Sequence, residues 1–87
     1  MNDIFHQAAE LTGVSVARLK GEDRSHTTVF ARWAVIWAIR QRTGYGRQRI
    51  GNIIGGRDPS TIGHALRRAD KLRDTDLNFR RLCESLT

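Results

Sequence analysis

Between Asp58 and Arg68 the chain gathers groups able to read the edges of base pairs. Ser60 and Thr61 offer hydroxyls, and the Thr61 methyl can pack on a thymine methyl. Asp58 can accept from a cytosine amine, and His64 and Arg68 follow at helical spacing one and two turns further on. Upstream, residues 24–57 hold Arg24, Arg32, Arg40, Arg42, Arg47, Arg49 and Arg57 and not one acid, a balance of +7. Residues 1–23 carry −2 and residues 58–87 carry +1, so the middle third holds more than the whole net charge of +6. Arginine outnumbers lysine thirteen to two, and its planar fork suits phosphate and guanine edges. This is the electrostatic footprint of a polyanion-binding surface; the plainer reading is a solvated basic face.

Those groups need an element that projects them together. Ile50, Ile53 and Ile54 sit at helical spacing and Gly55-Gly56 stop that helix. Asp58 is a good N-cap, and Pro59 fits the first position of a second helix, where its missing N–H is harmless. Ile62, Ala65, Leu66, Ala69 and Leu72 then form an apolar stripe, opposite Ser60, Thr61, His64, Arg67 and Arg68. Short helix, glycine turn and second helix with a polar-basic face make a helix-turn-helix, the second helix being the recognition helix. Gly51 interrupts the first of the pair, which a close helix crossing would explain. Arg47 and Arg49 lie in that helix's first turn, where positive charge opposes the dipole, a cost that points to neighbouring phosphates.

The remaining pattern is all-α. A first helix is expected over residues 3–12, with Ile4, Ala8 and Leu11 on one face and Gly13 at its end. Ser15 caps a short helix from Val16 to Lys20, closed by Gly21, and a polar loop follows from Glu22 to His26. A third helix starts at Thr27 or Thr28 and runs to about Thr43. It is apolar nearly all round, Trp33 and Trp37 included, and so forms the central strut. The fourth runs from Arg47 to Ile54 and the fifth from Pro59 to about Arg73. A sixth, from about Asp74 or Asp76 to Leu86, packs through Phe79, Leu82, Cys83 and Leu86. Six helices in 87 residues make one compact domain over residues 1–87, able to bury a modest core.

Ile-Gly-x-x-x-Gly-Gly-Arg-Asp-x-Ser-Thr-Ile-x-His-Ala, at Ile50 to Ala65, resembles the signature of the C-terminal DNA-binding domain of the bacterial replication initiator DnaA. Leu19-Lys20-Gly21, Arg24-Ser25 and Ala31-Arg32 extend the likeness upstream without gaps, over nearly the whole chain. The resemblance implies double-stranded DNA as partner. Arg24 would enter the minor groove, where a narrow A·T-rich stretch concentrates negative potential. Arg32 and Arg57 would face the DNA backbone, and Asp58 a base. The family usually has glutamine where Trp33 stands, so one polar contact is lost here. It most often has a base-touching histidine where Pro59 stands, which implies a preferred sequence altered at one or two base pairs.

The initiator's ATPase region and N-terminal domain have no counterpart in these residues. The expected roles are therefore a transcriptional regulator, a competitor for initiator sites, or a small replication factor of phage or mobile-element origin. A fragment of a longer protein is the alternative, with Met1 and the compact ending pointing to a whole chain. Residues 55–61 lack the Gly-Lys-Ser/Thr ending of a phosphate loop, so no nucleotide is expected. The three histidines and single cysteine lack ligand spacing, so neither metal nor other cofactor is expected, and no arrangement suggests an enzyme. No membrane-length apolar run or export signal is present, and a lone Cys83 suits a reducing cytoplasm, with association to the nucleoid. A protein-interaction adaptor, its basic face docked on an acidic partner, is the competing class. RNA binding is disfavoured because the aromatics fall on core faces.

Overall fold

Local signals set most of the helix ends. The computed structural model describes residues 2–87, which form α1 (Asn2–Thr12), α2 (Val16–Lys20), α3 (His26–Thr43), α4 (Arg47–Ile53), α5 (Pro59–Thr75) and α6 (Leu77–Leu86). Ser15 caps α2, its hydroxyl accepting the Arg18 N–H at 3.1 Å. Asp58 caps α5 by accepting the Ser60 N–H at 2.8 Å, with Pro59 in the first position. Asp76 closes α5 by donating its N–H to Leu72 and opens α6 by accepting that of Phe79, so α5 runs two residues past the expected Arg73.

The apolar run of α3 is the strut. Ala31, Ala34, Val35, Ile36, Ala38 and Ile39 are all at most 1% exposed, and α3 packs against each of the other five helices. α6 covers it with Phe79, Cys83 and Leu86, and α5 with Ile62, Ala65 and Ala69. On α1 the expected face is corrected: Phe5 is buried beside Ile4 and Ala8, while Leu11 is 54% exposed. The aromatic ring rotates the buried stripe toward Phe5, and Leu11 falls past its edge.

α3 begins at His26, one residue before the earlier of the two expected starts. Asp23 supplies the reason: its carboxylate accepts the Ser25 N–H at 2.9 Å and the Thr28 hydroxyl at 2.8 Å, and pairs with Arg18 at 2.8 Å. The first turn of α3 is thus gathered from outside the helix, and Thr28 is fully buried.

Candidate nucleic-acid interface

The geometry of the helix-turn-helix starts at the turn. Gly55 and Gly56 adopt φ of +101° and +75°, and the N–H groups of Gly56 and Arg57 both donate to the Gly51 carbonyl, at 2.8 and 2.9 Å. A Cβ at Gly51 would collide with the Arg57 carbonyl oxygen and touch Ile62 of α5 at 3.5 Å. The close crossing expected at Gly51 is therefore real, and the turn's own backbone makes the nearest contact.

Beyond the turn, α5 buries its stripe and leaves Pro59, Ser60, Thr61, His64, Arg67 and Arg68 exposed. Asp58 does its capping with one oxygen, Oδ1, which also accepts the Ser60 hydroxyl at 2.7 Å. Those two bonds, the hydroxyl's first, hold its carboxyl below the ordinary carboxylate range, so it is an acceptor at neutral pH. His64 stands in solvent.

The seven arginines of the acid-free stretch divide into two sets. Arg24, Arg47 and Arg49 are exposed and, among the described residues, donate no hydrogen bond to the protein. The remainder are engaged at home. Arg40 donates to the Tyr45 carbonyl at 2.7 Å and Arg42 to that of Leu86 at 3.4 Å. Arg32, expected at the DNA backbone, is only 7% exposed and spends its Nε and Nη2 within the protein while lining the cleft described below. Its Nε donates to the Leu19 carbonyl at 2.8 Å, and its Nη2 to those of Arg18, Gly21 and Asp23 at 2.8, 3.1 and 2.9 Å. Arg57 is half-buried and reaches the same place from the turn, donating to the carbonyls of Lys20, Gly21 and Ile54. The two guanidiniums satisfy carbonyls at the C-terminal end of α2, where Gly21 is extended rather than left-handed. Burial lowers the pKa of both from the ordinary arginine value.

That junction has a consequence for Arg24. The loop that carries it is clamped to α3 by Arg32 and to the helix-turn-helix by Arg57. Arg24 and Thr61 line one cleft of about 400 Å³, together with half-buried Trp33 and Arg57 and exposed Glu22. Glu22 is the acid among the residues lining this cleft, and its charge acts on Arg57. Arg49 lies over the Tyr45 ring, 3.7 Å from its centroid. Sequence reasoning missed Asp23, Tyr45 and the clamp; the Asp-x-Ser step before a helix was the available signal for the first.

No three His, Cys, Asp or Glu side chains converge among the described residues. No described helix is long and apolar enough to cross a membrane. Burial pushes the Cys83 thiol up to about 12, which keeps it from acting as a nucleophile.

A short helix, a glycine turn folded onto it and a second helix with a solvent-facing polar-basic edge define a helix-turn-helix protein. The chain belongs to the bacterial DnaA protein helix-turn-helix family, which matches residues 1–69. It is 36% identical over all 87 of its residues to the chromosomal replication initiator protein DnaA of Caulobacter vibrioides, covering 18% of that protein. It is 29% identical over 86 residues to that of Herpetosiphon aurantiacus, again 18% of the protein. Over 59 residues, 68% of this chain, it is 41% identical to that of Picosynechococcus, covering 13% of it. The chain thus spans less than a fifth of the length of these relatives.

Proposed function

We propose that this domain binds double-stranded DNA in a sequence-specific manner, with α5 in the major groove and Arg24 in the neighbouring minor groove. One observation carries the reading: the exposed first turns of α5 and the Arg24 loop border a single cleft. A sugar–phosphate strand divides the two grooves and would run through that cleft. Ser60, Thr61, His64 and the free oxygen of Asp58 supply base-edge contacts, and Arg47, Arg49 and Arg68 supply phosphate contacts. Arg32 and Arg57 act as positioning residues that hold the Arg24 loop at a fixed distance from α5. Pro59 offers neither a ring donor nor an N–H, so the preferred sequence differs from the initiator's box at one or two base pairs. Each altered position should shift discrimination by roughly 1–3 kcal/mol.

Selection from a random duplex pool tests this: a defined duplex sequence is expected, and recovery of the unaltered initiator box as the top sequence would overturn the role given to Pro59. Arg24→Ala and Thr61→Ala should each lose specific binding; a protein adaptor would keep its partner through both changes. The role served, as a small transcriptional regulator or a replication-associated factor, is part of the proposal, and genomic footprinting would decide between them.

A further inference from the structure

Gly63 sits inside α5, one turn past its start, where glycine costs roughly 1 kcal/mol relative to alanine. Its φ is not positive, and it stands on the flank of the helix, outside the apolar stripe. It is nonetheless buried, and the group against it is the guanidinium of Arg47. A Cβ at Gly63 would meet Arg47 Cζ at 2.8 Å, Nη1 at 2.9 Å and Nε at 3.0 Å. Three atoms of the guanidinium plane are almost equidistant from one point, so the plane lies flat on the helix backbone.

A guanidinium is weakly hydrated on its faces and donates hydrogen bonds in its plane. Arg47 uses its face to rest on Gly63 and, among the described residues, gives none of its donors to the protein. It rests there with its whole donor edge unused. Gly63 is bracketed on the helix surface by Ser60, three residues before, and Arg67, four after. A recognition helix lying in a groove turns such a flank toward the groove wall, which is a row of phosphates.

We propose that Gly63 is a positioning residue: by lacking a side chain it seats the Arg47 guanidinium on α5, aimed at a backbone phosphate. The proposal rests on the DNA-binding reading above, and deepens it by naming what fixes one of its cations.

The experiment compares the intact protein with Arg47→Ala, Gly63→Ala and the double variant, on the selected duplex and on a scrambled one, across a salt series. Arg47→Ala should weaken binding to both duplexes by about tenfold and make the log–log salt slope shallower by about 0.9. Gly63→Ala should weaken binding at least threefold or so in the same uniform manner, because its methyl displaces the guanidinium. Its melting temperature should hold or rise by a few degrees, since the group displaced is the flexible end of a side chain and alanine favours the helix. The double variant should bind no more weakly than Arg47→Ala alone. Unchanged binding by Gly63→Ala, a fall in its melting temperature, or additive losses would overturn the proposal. So would a loss confined to one base pair, which would put the guanidinium on a base edge. If the unaltered protein selects no duplex, the DNA reading has failed; a nuclear Overhauser contact between Gly63 Hα and Arg47 Hε in the free protein tells that failure from an absent seat.

Discussion

Arg32 and Asp23 show how charged side chains can fix the loop that carries Arg24 through bonds made within the protein. Arg32 holds four carbonyl groups at the end of α2 and in the loop behind it. Arg32→Ala would take this donor from the Arg18, Leu19 and Asp23 carbonyls, Gly21 keeping Arg57, so a loss of about 3 kcal/mol is expected in urea unfolding. Arg32→Lys should recover little of it, because an ammonium cannot reach a spread of carbonyls as a planar fork does. Asp23 gathers Ser25, Arg18 and Thr28, and its carboxyl is held well below the usual carboxylate range, first by the Ser25 N–H and then by Arg18 and Thr28. A depressed folded value means stabilisation that is present above the unfolded carboxyl's pKa of about 4 and is lost progressively as pH falls below it toward the lowered folded value. Asp23→Asn should therefore melt a few degrees lower than the parent near pH 7, with the gap closing in acid; a gap independent of pH would remove the carboxylate from this role. Asp23 had one local signal, the Asp-x-Ser step before a helix, whereas the role of Arg32 was not legible from types and spacing. Arginine in an acid-free run reads as surface, and only the convergence of α2, α3 and the turn reveals a set of carbonyls for Arg32 to fill.

At the scale of elements, two glycines on facing helices of the motif make opposite expectations. Gly51 lies under the turn, where a Cβ would strike the Arg57 carbonyl oxygen, and that backbone is pinned by two hydrogen bonds to Gly51 itself. Gly51→Ala is expected to destabilise the domain by about 2 kcal/mol in spite of alanine's better helix propensity, because backbone must move. Gly63→Ala meets only a side-chain end and should not. Thermal melts of the two variants side by side would show the difference, and equal losses would discredit this account of the turn. The same elements explain what was readable. Ser15, Gly44, Asp58, Pro59 and Asp76 act on their own helix ends through bonds a few residues long, so the ends of most helices followed from local pattern. The exposed face of α5 followed from its apolar stripe in the same way. Leu11 did not, because which side of a short helix is buried depends on the partner it meets, and Phe5 was the better fit. Trp33 is half in the core and half on the cleft, a division that helical spacing alone does not express.

Taken whole, the molecule has 15 basic and 9 acidic side chains, yet one ion pair joins them among the described residues, Arg18 with Asp23. Internal pairing therefore does little to cancel the positive field, and the acids that lie on the interface face are few. Arg24, in the loop before α3, and Arg47 and Arg49, on α4, stand exposed and donate no hydrogen bond to the protein among the described residues, and Arg67 and Arg68 join them on α5. A polyanion laid across this face releases counterions in proportion to the phosphates neutralised, about 0.9 per contact. Five such contacts give an expected log–log salt slope of about −4.5 for a matched duplex. Replacing Arg24, Arg47 and Arg49 together with alanine should bring it to about −2, while Arg81→Ala, an exposed arginine on α6, should leave it alone. The fold should survive the triple change, since none of the three holds another group by a hydrogen bond. A slope near zero in the unaltered protein, or equal flattening by Arg81→Ala, would mean that the charge acts only as a general field. The site would then lose its electrostatic half, and the hydroxyls of α5 would have no fixed register on the duplex from which to read it.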